Sequence, residues 1–310
     1  MNSGNTAGTA AVIGARGLIG SRVIELLIES GWQVRALVRE EGWRSELSME
    51  VVQGDLTNRS DLERLVEGVD AVFSCAGELH DPLKMDAVNK EAPALLAGIA
   101  RDAGVQFFCH ISSAGVVGPV RDEWIDESTP CRPDSHYEKS KWQGELALQT
   151  LNAGQMRICQ LRPTNVFDVS SPGILRLASR SLLEVMPYLF FKGSECAHLI
   201  HAQEVAAAAF YLCQNESCHG IYFIGYDEDA RNTVKSVVNF ARCRMGKSCI
   251  SALSLPVAVP YYLRSLIRGQ SLHGGSRFSS AKLLRSGYRF RYSLDEAIGT
   301  ACHNDASVRA

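Results

Sequence analysis

The sequence predicts an α/β fold with a doubly wound parallel sheet and a smaller C-terminal lobe. An apolar strand at residues 10–13 passes through Gly14, Gly17 and Gly20 directly into residues 21–30, whose apolar positions recur at helical intervals. Short apolar runs then alternate with helix-periodic runs as far as residue 165, the pattern of βαβ units and a parallel sheet. The 310-residue chain is 46% hydrophobic and 21% charged, so its composition is that of an ordinary globular protein with length for one large domain or two.

The glycine turn comes first along the chain. Gly14 tolerates the tight turn, Gly17 lets backbone approach a pyrophosphate, and Gly20 lets helix and strand pack closely. Arg16, Leu18 and Ile19 complete the turn, and the helix N-terminus offers unpaired N–H groups and a partial positive charge to phosphates. The expected ligand is therefore a dinucleotide. Gly31 is a natural helix terminator, and residues 33–38 read as a second strand ending at Arg39. An arginine there can neutralise a 2′-phosphate, and Arg16 could reach the same group, which favours NADP(H). Glu40 and Glu41 follow at once, and either could hold ribose hydroxyls, so NAD(H) stays open.

Residues 50–53 make a third strand, followed by Gly54-Asp55-Leu56. A helix is expected over 60–67, with Ser60 and Glu63 in capping-box spacing. A fourth strand over 70–77 ends in small residues, where a cofactor can lie close to backbone. A helix over 87–103 and a strand over 106–112 complete two mononucleotide-binding halves. Residues 114–135 read as one long loop, followed by a helix over 137–151 and a strand over 157–161. Further on, a helix over 203–212 precedes a strand over 221–224. The expected organisation is a dinucleotide-binding core over 1–165. A mixed region over 166–310 follows, with substrate-facing segments at 166–200 and 225–290 and core elements returning over 201–224.

A net charge of -2 gives no electrostatic footprint for nucleic acid. The most apolar late stretch, 253–266, is interrupted by Pro256 and Pro260 and carries Arg264, so no membrane span is expected. The N-terminus leaves no room for a signal peptide, and a cytoplasmic location is expected. Ten cysteines are scattered without a Cys-x-x-Cys pair, as free thiols in a reducing compartment would be. Cys213, Cys218 and His219 cluster in sequence but match no zinc spacing, so no metal is expected.

Tyr137 and Lys141 stand four apart, on one helix face, whereas Lys139 is out of phase. An ammonium beside a phenol favours the phenolate, so Lys141 is expected to lower the pKa of Tyr137 and fit it for proton transfer to or from an alcohol or ketone. Ser112 and Ser113 end the fifth strand, at the sheet edge where a ligand is expected. Ser113 reads as the hydroxyl that meets a substrate oxygen, and Ser112 as a turn or cap serine.

With these residues joined to the glycine triplet, the chain resembles the extended short-chain dehydrogenase/reductase family, of Rossmann type. The resemblance also runs through Gly54-Asp55-Leu56, Val88-Asn89, Ile111-Ser112-Ser113, Leu161 to Asn165, and Leu199-Ile200-His201 leading into Glu204. It implies that Ser113 is the catalytic hydroxyl, Tyr137 the acid/base, and Lys141 the residue that tunes Tyr137 and holds the nicotinamide ribose. It further places Asp55 and Leu56 by the adenine, Ala76 and Gly77 by ribose and pyrophosphate, Pro163 by the nicotinamide, Asn89 in a water or proton relay, and Asn165 against substrate. The family often forms homodimers.

Val117 stands where many nucleotide-sugar members have tyrosine, and Asp168 where glycine is usual. The 195–201 segment lacks the arginine that sugar-nucleotide epimerases carry, for which Arg231, Arg264, Arg268 or Arg277 would have to substitute. The resemblance leans toward the hydroxysteroid-dehydrogenase-like branch. The expected function is an NAD(P)-dependent oxidoreductase that interconverts a small-molecule secondary alcohol and a ketone. A nucleotide-sugar epimerase, dehydratase or ketoreductase is the alternative, and a non-catalytic NADP-sensing regulator is a third reading.

Overall fold

The structure is a computed structural model that describes residues 8–43, 46–251, 253–268 and 273–302. The chain runs β1 (Thr9–Ile13), α1 (Leu18–Glu29), β2 (Gln33–Val38), β3 (Glu50–Gln53), α2 (Arg59–Val66), β4 (Ala71–Ser74), α3 (Pro82–Met85), α4 (Ala92–Asp102) and β5 (Phe107–Ile111). It continues through β6 (Trp124–Ile125), α5 (His136–Thr150), β7 (Arg157–Pro163), β8 (Asn165–Phe167), α6 (Leu182–Lys192), β9 (Leu199–His201), α7 (Ala202–Gln214) and β10 (Gly220–Ile224). The last elements are α8 (Val234–Arg244), α9 (Ala258–Arg268), β11 (Arg277–Phe278), α10 (Ala281–Arg285) and α11 (Leu294–Cys302).

Seven strands form one parallel sheet in the order β10-β7-β5-β4-β1-β2-β3. β1 lies between β2 and β4, with Ala10 opposite Val34 on one side and Ala71 on the other. This is the point where strand order reverses, and in open α/β sheets ligands bind outside the strand ends there. Every residue of β4 and β5 is buried, as expected of parallel strands covered on both faces. Ile13, Val72 and Phe108 pack with Leu62, Leu65 and Leu96 into one apolar cluster.

The chain divides into two compact units. The first comprises residues up to Val116, Pro133–Arg162 and Val205–Tyr222; the second comprises Val117–Arg132, Pro163–Glu204 and the residues from Phe223 on.

Four expectations are corrected. The cap of α2 is Asn58, whose side chain accepts from the backbone N–H of Ser60 at 3.0 Å and Asp61 at 3.4 Å. Ser60 is already inside the helix, which displaces the expected capping box. The helix expected over 87–103 starts earlier, at Pro82 behind an Asp81 cap, and passes through a π-helical turn at Asp86–Glu91. Gly144 explains how that widened turn is accommodated, because a Cβ at Gly144 would lie 2.2 Å from the Asn89 carbonyl oxygen. The long loop over 114–135 contains a 3₁₀ turn, Ala114–Val117, and β6, which pairs with β11. Residues 165–201 are also more regular than expected, with β8 paired to β9 and α6 between them. Three-residue strands and a proline inside α6 conceal both periodicities.

Candidate active site

Gly14 has φ +76°, and a Cβ there would meet the backbone nitrogen of Ala76 at 2.6 Å. A Cβ at Gly20 would lie 2.1 Å from the Gly14 carbonyl oxygen, so both positions require glycine. Gly17 stands at the N-cap of α1 and supplies no side-chain cap. The first N–H groups of α1, around Leu18 and Ile19, therefore border a turn drawn tight against the end of β4. An uncapped helix end in a glycine cradle fits the pyrophosphate of a dinucleotide. Ala76 is buried at the edge of this cradle, and Gly77 is exposed.

Around the end of β2, Arg16 forms an ion pair with Glu40, both exposed. Arg39 is exposed as well. The Asp55 carboxyl is held below its ordinary value, chiefly by the Thr57 hydroxyl, with help from the Thr57 N–H and the Arg39 charge against some burial. Leu56 packs against the core cluster.

Ser113, Tyr137, Lys141 and Asn89 all lie in the first unit. The Ser113 hydroxyl accepts the Gly115 N–H at 3.1 Å and lies close enough to the Tyr137 phenol to hold its pKa down against burial. Helix α5 starts one residue before Tyr137, fixed by a capping box in which Ser135 and Glu138 bond each other's backbone N–H groups. One turn on, the buried Lys141 ammonium donates to the carbonyls of Ile111 at 3.0 Å and Ala76 at 3.3 Å, at the ends of β5 and β4. Burial lowers the Lys141 pKa to about 8.

The expectation for Tyr137 is corrected. Its pKa is raised by burial, opposed by the Ser113 hydrogen bond and reinforced by Glu138; Lys141 is spent on two carbonyls and does not enter. Ser112 is buried, and its hydroxyl has no partner among the described residues.

Asn89 is fully buried. Its amide nitrogen donates to the Glu78 carbonyl at 2.8 Å and the Ser140 hydroxyl at 3.0 Å, and its oxygen accepts from the Glu78 N–H at 2.9 Å. In this structure Asn89 clamps the loop after β4 to α5.

The sequence reading missed a charged pair beneath this site. Glu145, one turn beyond Lys141, accepts from the Arg162 guanidinium at 2.6 and 2.9 Å, and both side chains are buried. The i, i+4, i+8 series from Tyr137 through Lys141 to Glu145 was the available signal. His110 was also missed: burial first, then the Lys141 charge, holds its imidazole well below the ordinary value. Burial likewise pushes the Cys75 thiol up to about 12.

Pro163 and Asn165 lie in the second unit. Pro163 is buried at the end of β7, while Asn165 is exposed and donates its side-chain N–H to the Ala197 carbonyl at 3.0 Å. The arginines considered as phosphate partners have other engagements. Arg231 pairs with Asp229 and Asp295, Arg264 with Glu195, and Arg277 donates to the carbonyls of Asp227 and Asp229. The Arg268 side chain lies outside the described residues.

The second unit also gathers Cys196, His198 and Asp227, with one ligand-type atom of each within 4.8 Å of the others. It is this trio, not Cys213, Cys218 and His219, that the fold brings together. The Asp227 carboxylate accepts from the Phe278 N–H at 2.9 Å and Asn232 at 3.0 Å and meets His198 Nδ1 at 2.6 Å. Burial works against charging His198, but hydrogen bonds to Asp227 and Cys196 and their charges push its pKa up to about 10.

With this geometry in place, the sequence profile of the NAD-dependent epimerase/dehydratase family matches residues 10–225. The chain belongs to that family. It is an enzyme of the extended short-chain dehydrogenase/reductase type. It is 29% identical over 216 residues to a ceramide reductase of Caulobacter vibrioides, covering 67% of this chain and 61% of the relative. It is also 26% identical over 246 residues to a 2-alkyl-3-oxoalkanoate reductase of Shewanella oneidensis, covering 71% and 62%. The chain thus spans less than two thirds of the length of these relatives. Among solved structures, the Bordetella bronchiseptica enzyme WbmH in complex with NAD+ superposes with a TM-score of 0.75 at 18% identity, covering 97% of this chain and 99% of that one. A UDP-glucose 4-epimerase of Thermotoga maritima with UDP-glucose gives 0.76 at 19%, covering 97% and 100%. At these identities the structural likeness establishes the fold. Among the described residues no helix is long and apolar enough to cross a membrane.

Proposed function

We propose that this enzyme interconverts a secondary alcohol and a ketone on a largely apolar substrate, using a nicotinamide dinucleotide. The observation that carries the reading is the Ser113–Tyr137 hydroxyl pair set above the buried Lys141 at the ends of β4 and β5. When bound, the cofactor supplies or accepts the hydride. Gly14, Gly17 and Gly20 shape its cradle, and the first turn of α1 receives its pyrophosphate.

The chain's own groups handle the proton and the oxygen. Tyr137 holds its proton at neutral pH, since burial raises its pKa, and is thus set to donate to a carbonyl oxygen in the reducing direction. Ser113 stands beside it to hydrogen-bond the same oxygen as charge develops. Lys141 carries a positive charge under the site, and Asn89 fixes the loop that holds the cradle's edge.

For the cofactor, the reading favours NADP(H) over NAD(H), supported by the exposed Arg39 beside Asp55. Arg16 is engaged by Glu40 and contributes less than the sequence reading assigned it. The relatives named ceramide reductase, 2-alkyl-3-oxoalkanoate reductase and sterol-4-alpha-carboxylate 3-dehydrogenase support an apolar substrate class. The sugar-nucleotide alternative is weakened by Arg231, Arg264 and Arg277, whose charges are spent internally. The same proposal holds a cytoplasmic enzyme, dimeric in solution, with a dinucleotide core over 1–165.

The test is steady-state oxidation of NADPH and NADH with a long-chain 3-oxo ester, a 3-ketosteroid and UDP-glucose as substrates. Turnover of an apolar ketone is expected, and reaction of UDP-glucose alone would overturn the reading.

A further inference from the structure

The net charge of -2 conceals an uneven distribution along the chain. From Arg231 to Leu294 the chain carries twelve lysines and arginines and no aspartate or glutamate, although Arg231 and Arg264 are paired with carboxylates, Arg277 is held by carbonyls and Arg242 is buried. All of these residues belong to the second unit.

The same unit turns apolar side chains outward. On α6, Leu182, Leu183, Met186 and Phe190 are exposed and follow i, i+1, i+4, i+8 spacing, which puts them on one side of the helix. Val185 and Leu189, on the adjoining side, are fully buried. The helix thus has one apolar face in the core and a second outside it. On α9, Val259, Tyr262, Leu263 and Leu266 are exposed at i, i+3, i+4, i+7, the spacing of a core-facing stripe that faces away from the core. Leu183 is 88% exposed and Leu266 82%.

The segments that carry the two helices are tied together. The Leu255 N–H donates to the Phe190 carbonyl at 2.8 Å, and Arg264 on α9 reaches Glu195 just past α6 at 2.5 Å. Basic groups flank them: exposed Arg180 precedes α6, and Lys247 packs beside it by donating to the Ser179 carbonyl at 2.8 Å.

We propose that the exposed faces of α6 and α9 dock the enzyme on an anionic lipid bilayer, as a peripheral protein that does not span it. Exposed apolar stripes mark interaction surfaces, and a helix lying along a bilayer surface buries such a stripe at the boundary between headgroups and acyl chains. Charge selects this occupant over a second copy of the chain. A two-fold contact through the stripes would bring the exposed Arg180 and Lys247 of one copy toward those of the other, whereas anionic headgroups neutralise them. Nucleic acid would answer the charge but leave the leucines and phenylalanines in water. The inference concerns binding and stands independently of the reaction proposed above.

The test is flotation of the full chain with vesicles of phosphatidylcholine and phosphatidylglycerol, beside vesicles of phosphatidylcholine alone. Binding to the mixed vesicles is expected, weaker in high salt and weaker on the neutral vesicles. The double variant Leu183→Asp, Leu266→Asp should lose binding by about tenfold or more while its circular dichroism and Tm match the wild type. The single variant Arg180→Glu should weaken it several-fold, on the order of the loss expected for a reversed surface charge. Failure of the wild type to float with mixed vesicles overturns the proposal. So does a wild-type dimer that the double variant converts to monomers with vesicle binding unchanged.

Discussion

In α5 the inward side carries Ser140, Lys141 and Glu145, with Leu148 its one large apolar residue, whereas α6 and α9 turn leucines and aromatic residues outward. Apolar burial is the default because it is the main favourable term in folding. Each departure therefore has a cost that something must offset. In α5 the offset is internal: Lys141 has two carbonyls, Glu145 has Arg162, and Ser140 has Asn89. In α6 and α9 the stripe stays exposed. The difference separates a site whose partners are already within the fold from a surface whose apolar side chains remain exposed.

Substitutions can break this contrast. The largest effect is expected at Glu145. Glu145→Gln leaves the Arg162 guanidinium buried without its charge partner, and urea unfolding should show a loss of about 3–5 kcal/mol. A loss below about 1 kcal/mol would mean that the pair is not held as described.

Next comes a matched pair of leucines. Leu148→Asp puts a charge into the core beneath α5 and should cost about 3 kcal/mol or more, while Leu183→Asp on α6 should stay within about 0.5 kcal/mol. Equal losses in thermal unfolding would erase the distinction between the two helices.

Lys141 sharpens the contrast through pH. Its pKa is near 8 in the folded protein against an ordinary value of 10.5, so between these pH values the unfolded chain binds more protons than the native one. Stability from this group therefore rises with pH across that window, by roughly 3 kcal/mol in total. The difference in unfolding free energy between wild type and Lys141→Met, measured from pH 7 to 10.5, should carry that slope; a flat difference would contradict it. His198 has the opposite sign. Its raised pKa gives stability that is complete below about 6.5 and is lost as pH rises through about 10, a trend that Asp227→Asn should remove.

The smallest effect is expected at Arg39. Arg39→Asp should weaken NADPH by about tenfold more than NADH, roughly 1.4 kcal/mol, in fluorescence titrations. Equal losses for both would count against the 2′-phosphate reading.

Much of the fold could be read directly from the sequence because parallel strands buried on both faces are continuous apolar runs and α1 follows its glycine turn without interruption. Tyr137 and Lys141 were readable for a similar reason, since four residues of helix put them on one face. What stayed hidden depends on partners distant in sequence. Arg162 lies 17 residues beyond Glu145, and the π turn at Asp86–Glu91 rests on Asn89 meeting Glu78 and on the missing side chain of Gly144. The lowering expected for the Tyr137 pKa failed because spacing reveals which residues share a face but not where an ammonium spends its hydrogen bonds. The stripes of α6 and α9 were hidden for the opposite reason, since an apolar period looks the same whether it faces a core or a membrane.

The central claim is that the polar side of α5 is a proton-transfer site and not only a buried network. Tyr137→Phe tests it most directly, with NADPH affinity and ketone turnover measured on the same preparation. The account predicts a fall in kcat of about two to four orders of magnitude with cofactor affinity and Tm nearly unchanged. Turnover at the wild-type rate would contradict it.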